Sequence, residues 1–213
     1  MSLSDPLGDA ARWVAAGGLL AYPTETLWAL GADSNSQSAV DRLRRWKGRG
    51  DDAPVSVLVA DPDHAEAQGL PLTGVARKLA QAFWPGPLTL IVPATTRFAE
   101  GVANGEGAVG VRCSSHPLAG ALSRRMSREG CGPLTATSLN RAGTAPAANR
   151  VQARAACGEV PDDPRIVDVD GAEAGGEQPS TVIDATCEPP RVLRWGAVAA
   201  GELTSVIGAW SEA

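Results

Sequence analysis

The sequence is poor in the features that would place it outside a reducing, aqueous compartment. Its four cysteines, at positions 113, 131, 157 and 187, form no C-x-x-C pair and are scattered along 213 residues. That spacing excludes a zinc pattern and a compact disulfide framework, so they read as reduced thiols that mostly pack. Uncharged apolar runs such as Leu88–Pro93 are only a few residues long, too short for a membrane span. The N-terminal Met1-Ser2-Leu3-Ser4-Asp5 has neither the basic nor the apolar region of a signal peptide, and the expected compartment is the cytoplasm. No G-x-x-x-x-G-K-[ST] loop and no G-x-S-x-G elbow occur, which removes the commonest nucleoside-triphosphatase and hydrolase readings. Lysine is scarce as well: of 19 basic residues only Lys47 and Lys78 are not arginine. Guanidinium suits bidentate anion binding, a bias that codon usage would also produce.

What is present is an ordinary globular balance, 44% hydrophobic and 20% charged, in 21.8 kDa. This length fits one domain spanning residues 1–213 and excludes wholesale disorder. The net charge of −5 argues against a protein whose main affinity comes from neutralising nucleic-acid phosphates, although a local basic cleft stays open. Asp5-Pro6 starts a first helix that Gly17-Gly18 ends, and Leu19–Tyr22 follows as a strand. Ser36 caps a second helix that runs to Lys47-Gly48. Val55–Ala60, Leu88–Val92, Val109–Cys113 and Pro133–Ala136 read as strands, with helices from Thr73, over Pro117–Met126 and over Val151–Cys157. Three more strands are expected at Arg165–Val169, Ser180–Asp184 and Val192–Arg194. Such alternation predicts an α/β fold with one mixed, twisted sheet and flanking helices, since some neighbouring strands leave no room for a crossover helix.

Polar residues recur where these strands end. Tyr22-Pro23-Thr24-Glu25-Thr26 runs from a strand into a turn with two hydroxyls and a carboxylate, either an ordinary capped turn or a site. Lys47-Gly48-Arg49 sets two cations around a glycine at a helix end, which serves either the helix dipole or an anion. Arg112, inside the apolar Val111-Arg112-Cys113, requires a partner, whether a structural carboxylate or a bound anion. Thr135–Asn140, Pro179–Asp184 and Val192–Gly196 repeat the theme, and together they point to one anion-binding cleft. Gly105-Glu106-Gly107-Ala108-Val109-Gly110 matches G-x-G-x-x-G literally but precedes a strand instead of opening a helix, so it reads as a turn. Cys131 between two glycines has no histidine tied to it by any signature, and His116, ahead of Pro117, reads as a cap.

At these residues the chain resembles the YrdC-like family of threonylcarbamoyl-adenylate synthases. The matching pieces are YPTET with Leu30-Gly31, K-G-R at 47–49, WPGPLTLIV, VRCSSHP, PLTATSLN, PSTVID and VLRWGAV, in the family's order over roughly residues 10 to 198. The short reach beyond VLRWG is similar to the single-domain bacterial form. The resemblance implies a mixed α/β sheet and a reaction that joins L-threonine, bicarbonate and ATP, with Mg²⁺, into threonylcarbamoyl-AMP and pyrophosphate. It implies downstream tRNA threonylcarbamoyl-transfer proteins as partners. It places Thr26, Arg112 and Ser180 on threonine, with Arg112 facing the carboxylate, and Lys47, Arg49, Ser138, Asn140 and Arg194 on ATP. Lys47 and Arg49 would be the catalytic cations, and Ser138 and Asn140 would stand near phosphate or metal, although no metal signature is present. Gly50 follows Arg49 where proline is usual, and Ala53 stands where an asparagine before Pro54 is common. Leu58 stands where some relatives have a threonine-contacting histidine, so that contact is not carried over.

Such chemistry asks for positioning and for neutralisation of charge on the leaving pyrophosphate, with water kept out. Gly50–Ala53 and Gly171–Gln178 are the candidate lid segments. Two rivals remain at this level. One is an RNA-binding module for RNA or ribosome maturation with weak, cleft-based affinity; the other is the carbamoyl-adenylate chemistry of a larger hydrogenase-maturation protein, which the length disfavours.

Overall fold

The computed structural model describes residues 5–48, 54–158, 163–167, 169, 173–176 and 178–213. In chain order the elements are α1 (Pro6–Ala15), β1 (Leu20–Pro23), β2 (Trp28–Gly31), α2 (Gln37–Lys47), β3 (Val57–Val59), α3 (Pro62–Ala67), α4 (Gly74–Phe83), β4 (Leu88–Pro93) and β5 (Ala108–Cys113). They continue as α5 (Pro117–Arg128), β6 (Leu134–Thr135), β7 (Thr137–Ser138), α6 (Arg150–Cys157), β8 (Arg165–Ile166), β9 (Thr181–Asp184), β10 (Arg191–Arg194), α7 (Ala200–Ile207) and β11 (Ser211–Glu212). The helix starts follow local chemistry. Asp5 accepts from Gly8 N, Ser36 from Ala39 N and His116 from Leu118 N, each satisfying an amide that the helix itself leaves free. Gly48 ends α2 with φ at 64°, a left-handed conformation that a side chain would resist.

The fold is mixed α/β as expected, but the strands divide between two sheets instead of joining one. A four-stranded sheet has the order β7-β2-β1-β8, and a seven-stranded sheet has the order β11-β10-β9-β4-β5-β3-β6. Each contains parallel and antiparallel pairs: β1 runs antiparallel to β2 and parallel to β8, while β4 runs antiparallel to β5 and parallel to β9. The segment read as one strand over Pro133–Ala136 is where the two sheets are stitched. Its β6 pairs with β3 in the larger sheet, and two residues on β7 pairs with β2 in the smaller one. Between them Ala136 N donates to Ser56 O at 2.7 Å. The β2 strand, α3, α7 and β11 had no counterpart in the sequence reading, being short or following directly on a turn.

Strand parity decides which side chains meet water. On the larger sheet Leu88, Leu90, Val92, Val109, Val111 and Ile183 join one apolar cluster with Leu79 of α4 and Leu203 of α7. Their neighbours Thr89, Ile91, Gly110, Arg112 and Val182 face the other way and line a cavity. The smaller sheet is covered on both faces. Leu20 and Tyr22 pack with Val14 of α1 and with Leu122 and Met126 of α5, whereas Trp28 and Leu30 pack with Leu43 and Trp46 of α2. Leu58 is fully buried in the α1 and α5 cluster and is not among the residues lining the cavity. Among the described residues no helix is long and apolar enough to cross a membrane.

Candidate active site

One cavity of about 260 Å³ lies where the polar face of the larger sheet meets the turn after β1 and the stitch at β7. Its lining includes Thr26, Arg112, Ser138, Ser180 and Arg194, five of the eight residues expected from the sequence. Two more are joined to it: the Lys47 ammonium donates to the Ser138 carbonyl and, at 3.0 Å, to Asn140 Oδ1. Ser138 Oγ donates to the same Asn140 oxygen at 2.7 Å, so lysine, serine and asparagine form a single unit. The helix end and the sheet stitch, 91 residues apart, are thereby locked together. Arg49, like Gly50–Ala53, lies outside the described residues.

At the other end Arg112 is almost fully buried, and it has a carboxylate partner that the sequence left undecided. Its Nη2 sits 2.9 Å from Glu25 Oε1, off the line of a good hydrogen bond, and donates to Thr26 Oγ1 at 2.6 Å. Ser114 Oγ donates to the second Glu25 oxygen. Tyr22 lies beneath the pair, donating to Thr135 O at 2.8 Å. Burial pushes its phenol well above the ordinary range, Arg112 opposing that rise and Glu25 adding to it. The turn is held from above: Gly175 N donates to Thr24 O at 2.9 Å and Gly176 N to Thr26 O at 3.1 Å. That contact places part of the expected Gly171–Gln178 lid directly on the turn after β1, although residues 171, 172 and 177 lie outside the described set.

Ser180 and Arg194 close the third side. Arg194 Nη2 donates to Ser180 O at 2.8 Å and to Ser180 Oγ at 3.1 Å, and Ser180 Oγ lies 2.9 Å from Thr89 Oγ1. The close approach behind them requires Gly196, because a Cβ there would overlap the Pro179 carbonyl oxygen. Thr24 and Thr137 also line the cavity and Glu25 pairs with Arg112, all three within stretches that the sequence flagged without assigning them a role; Ser56 and Thr89 complete the lining and were missed by sequence reasoning. Parity held the signal for Thr89. It sits directly across from Arg112 in the β4–β5 register and so shares its face.

The other sequence candidates resolve as structure. Gly105–Gly107 is a turn leading into β5, and His116 caps α5 while its Nε2 meets Glu173 O at 2.9 Å. Burial, with Asp33 and Glu129 nearby, pushes the Cys131 thiol up to about 11, which keeps it protonated and poorly nucleophilic at neutral pH. Among the described residues no three His, Cys, Asp or Glu side chains gather as a metal site. Asn140 Oδ1 is already shared by Lys47 and Ser138. The described donor set therefore does not fit a resident divalent cation, which would favour free carboxylates.

These features define an α/β protein whose cavity presents a guanidinium with hydroxyls at one end and, at the other, Ser138 backed by Lys47 and Asn140. Residues 12–196 match the Sua5/YciO/YrdC family model, described as "Telomere recombination". A putative threonylcarbamoyl-AMP synthase of Mycobacterium tuberculosis is 35% identical over 200 residues, 94% of this chain and 88% of that protein. The threonylcarbamoyl-AMP synthase of Chromohalobacter salexigens is 35% identical over 181 residues, 85% of this chain and 93% of that one. Among solved structures, Pyrococcus abyssi Sua5 complexed with L-threonine superimposes with a TM-score of 0.87 at 30% identity, covering 100% of this chain and 61% of the larger archaeal protein. The chain belongs to the Sua5/YciO/YrdC family.

Proposed function

We propose that the chain is a threonylcarbamoyl-AMP synthase, joining L-threonine, bicarbonate and ATP with release of pyrophosphate, for threonylcarbamoyl transfer to tRNA. The observation that carries this reading is one cavity lined by a buried Arg112, by the hydroxyls of Thr26, Thr89 and Ser180, and by Ser138, to which Lys47 and Asn140 are bonded. Arg112 supplies the planar donor fork that an amino-acid carboxylate matches. Lys47 supplies positive charge where pyrophosphate leaves, held in place by the Ser138 carbonyl and Asn140. Arg194, anchored on Ser180, lines the same cavity and is assigned to the nucleotide phosphates.

In this reading the threonine amine first combines with bicarbonate, losing water, to give a carbamate. A carbamate oxygen then forms a bond to the α-phosphorus as the bond to the β-phosphate bridging oxygen breaks. The residues need only align the two ends and neutralise the charge that grows on pyrophosphate. Mg²⁺ arrives with ATP as part of the substrate. Arg49 is assigned to the phosphates on the family pattern alone. Transfer proteins that act on tRNA receive the product, and the cytoplasm is where they would meet it. An RNA-binding module would present aromatic faces along a basic groove, whereas among the described residues lining this cavity the one aromatic is the buried Trp28.

The test is pyrophosphate release with ATP, threonine and bicarbonate omitted one at a time. Release should require all three, because the attacking group exists only after threonine and bicarbonate combine. Equal release without threonine would overturn the assignment.

A further inference from the structure

We infer that Glu25 sets substrate selectivity, by cancelling the charge of Arg112 so that this end of the cavity accepts a zwitterionic amino acid and rejects simple anions. The inference rests on the assignment of the Arg112 end to threonine and adds a residue to it. Among the described residues lining the cavity, Arg112 and Arg194 are the charged ones. Glu25 is not among them. It lies behind Arg112, 2.9 Å from Nη2 and nearly buried, with its second oxygen fixed by Ser114 Oγ. The backbone around it is pinned by Gly175 and Gly176 through the carbonyls of Thr24 and Thr26. A carboxylate held this firmly behind the guanidinium does not compete for the cavity; it acts on the ligand through its field.

The consequence follows from charge counting. A plain anion on Arg112 is attracted by the guanidinium and repelled by Glu25 just beyond it, so part of its attraction is cancelled. A zwitterion loses part of its carboxylate attraction in the same way, but its ammonium is drawn to Glu25, which restores the difference. Bicarbonate and phosphate, both small anions present with the substrates, are the species this arrangement would keep off Arg112.

Titration calorimetry of threonine and of β-hydroxybutyrate, which is threonine without its amine, measures the effect as a ratio of affinities. Glu25→Gln should tighten β-hydroxybutyrate more than threonine and shift the ratio on the order of tenfold toward the anion. Glu25→Asp, which keeps the charge, should leave the ratio close to wild type. Melting temperatures of both variants accompany the titrations, and a loss of packing alone would weaken both ligands alike. An unmoved ratio in Glu25→Gln, or an equal shift in Glu25→Asp, overturns the inference. Wild-type pyrophosphate release that ignores threonine would instead overturn the functional reading beneath it, so the two failures are separable.

Discussion

Arg112 has two duties in this structure, and a double substitution separates them. The Arg112 and Glu25 side chains are 10% and 14% exposed, so Arg112→Ala strands a carboxylate in a nearly dry site. Breaking one partner of a buried pair costs about 3–5 kcal/mol. For a chain of this size 3 kcal/mol corresponds to a melting temperature lower by about 6–12 °C. Adding Glu25→Gln removes the stranded charge, and the amide can still accept from Ser114, so the double variant should recover most of that stability. Threonine binding should not recover with it, because the substrate carboxylate has lost its guanidinium. Losing a charge pair of this kind costs at least about 2 kcal/mol, or ~30-fold in threonine KM. Since the contact exists before and during the reaction, kcat at saturating threonine and the KM for ATP should change little. The assays are thermal melts and pyrophosphate release with each substrate varied in turn. A double variant that regains both stability and the wild-type threonine KM would show Arg112 to be purely structural.

Three further outcomes are expected. Lys47→Ala should lower kcat by about 10²–10³-fold with a smaller effect on threonine KM, since its charge counts most when pyrophosphate leaves; a raised threonine KM at unchanged kcat would refute its place at the phosphate end. Gly196→Ala should destabilise the chain by about 3 kcal/mol and impair activity, because its Cβ meets the Pro179 carbonyl backbone beside Ser180, and a wild-type melt would contradict this. His64, whose Nδ1 accepts from Ala60 N at 3.0 Å, is held below the ordinary imidazole pKa by burial, with Asp61 opposing and Arg124 adding. The unfolded chain therefore binds the extra proton first, so the stability tied to His64 is present above about pH 6.5 and is lost as pH falls toward its folded pKa. His64→Gln should flatten the decline of melting temperature with acid, and an unchanged slope would exclude His64 as its source.

Much of this protein was determined locally. Asp5, Ser36 and His116 start helices because each offers an acceptor to a free amide, and Gly48 stops α2 because the left-handed turn needs no Cβ. These are effects of three or four neighbouring residues, so the sequence states them. The motif residues at strand ends were legible for the same reason, and the order of the motifs was enough to place the chain in its family. Which residues came together was decided only by the tertiary structure. The two sheets are joined at Ala136, and that one crossing brings Ser138 to Lys47 and sets both beside a cavity whose far wall is β4, β5 and β9. Thr89 gains its place from a register with Arg112 across 23 residues, and Glu25 from an ion pair across 87. Pairings at that distance depend on which apolar faces are buried together, a property of the whole chain that no local pattern contains.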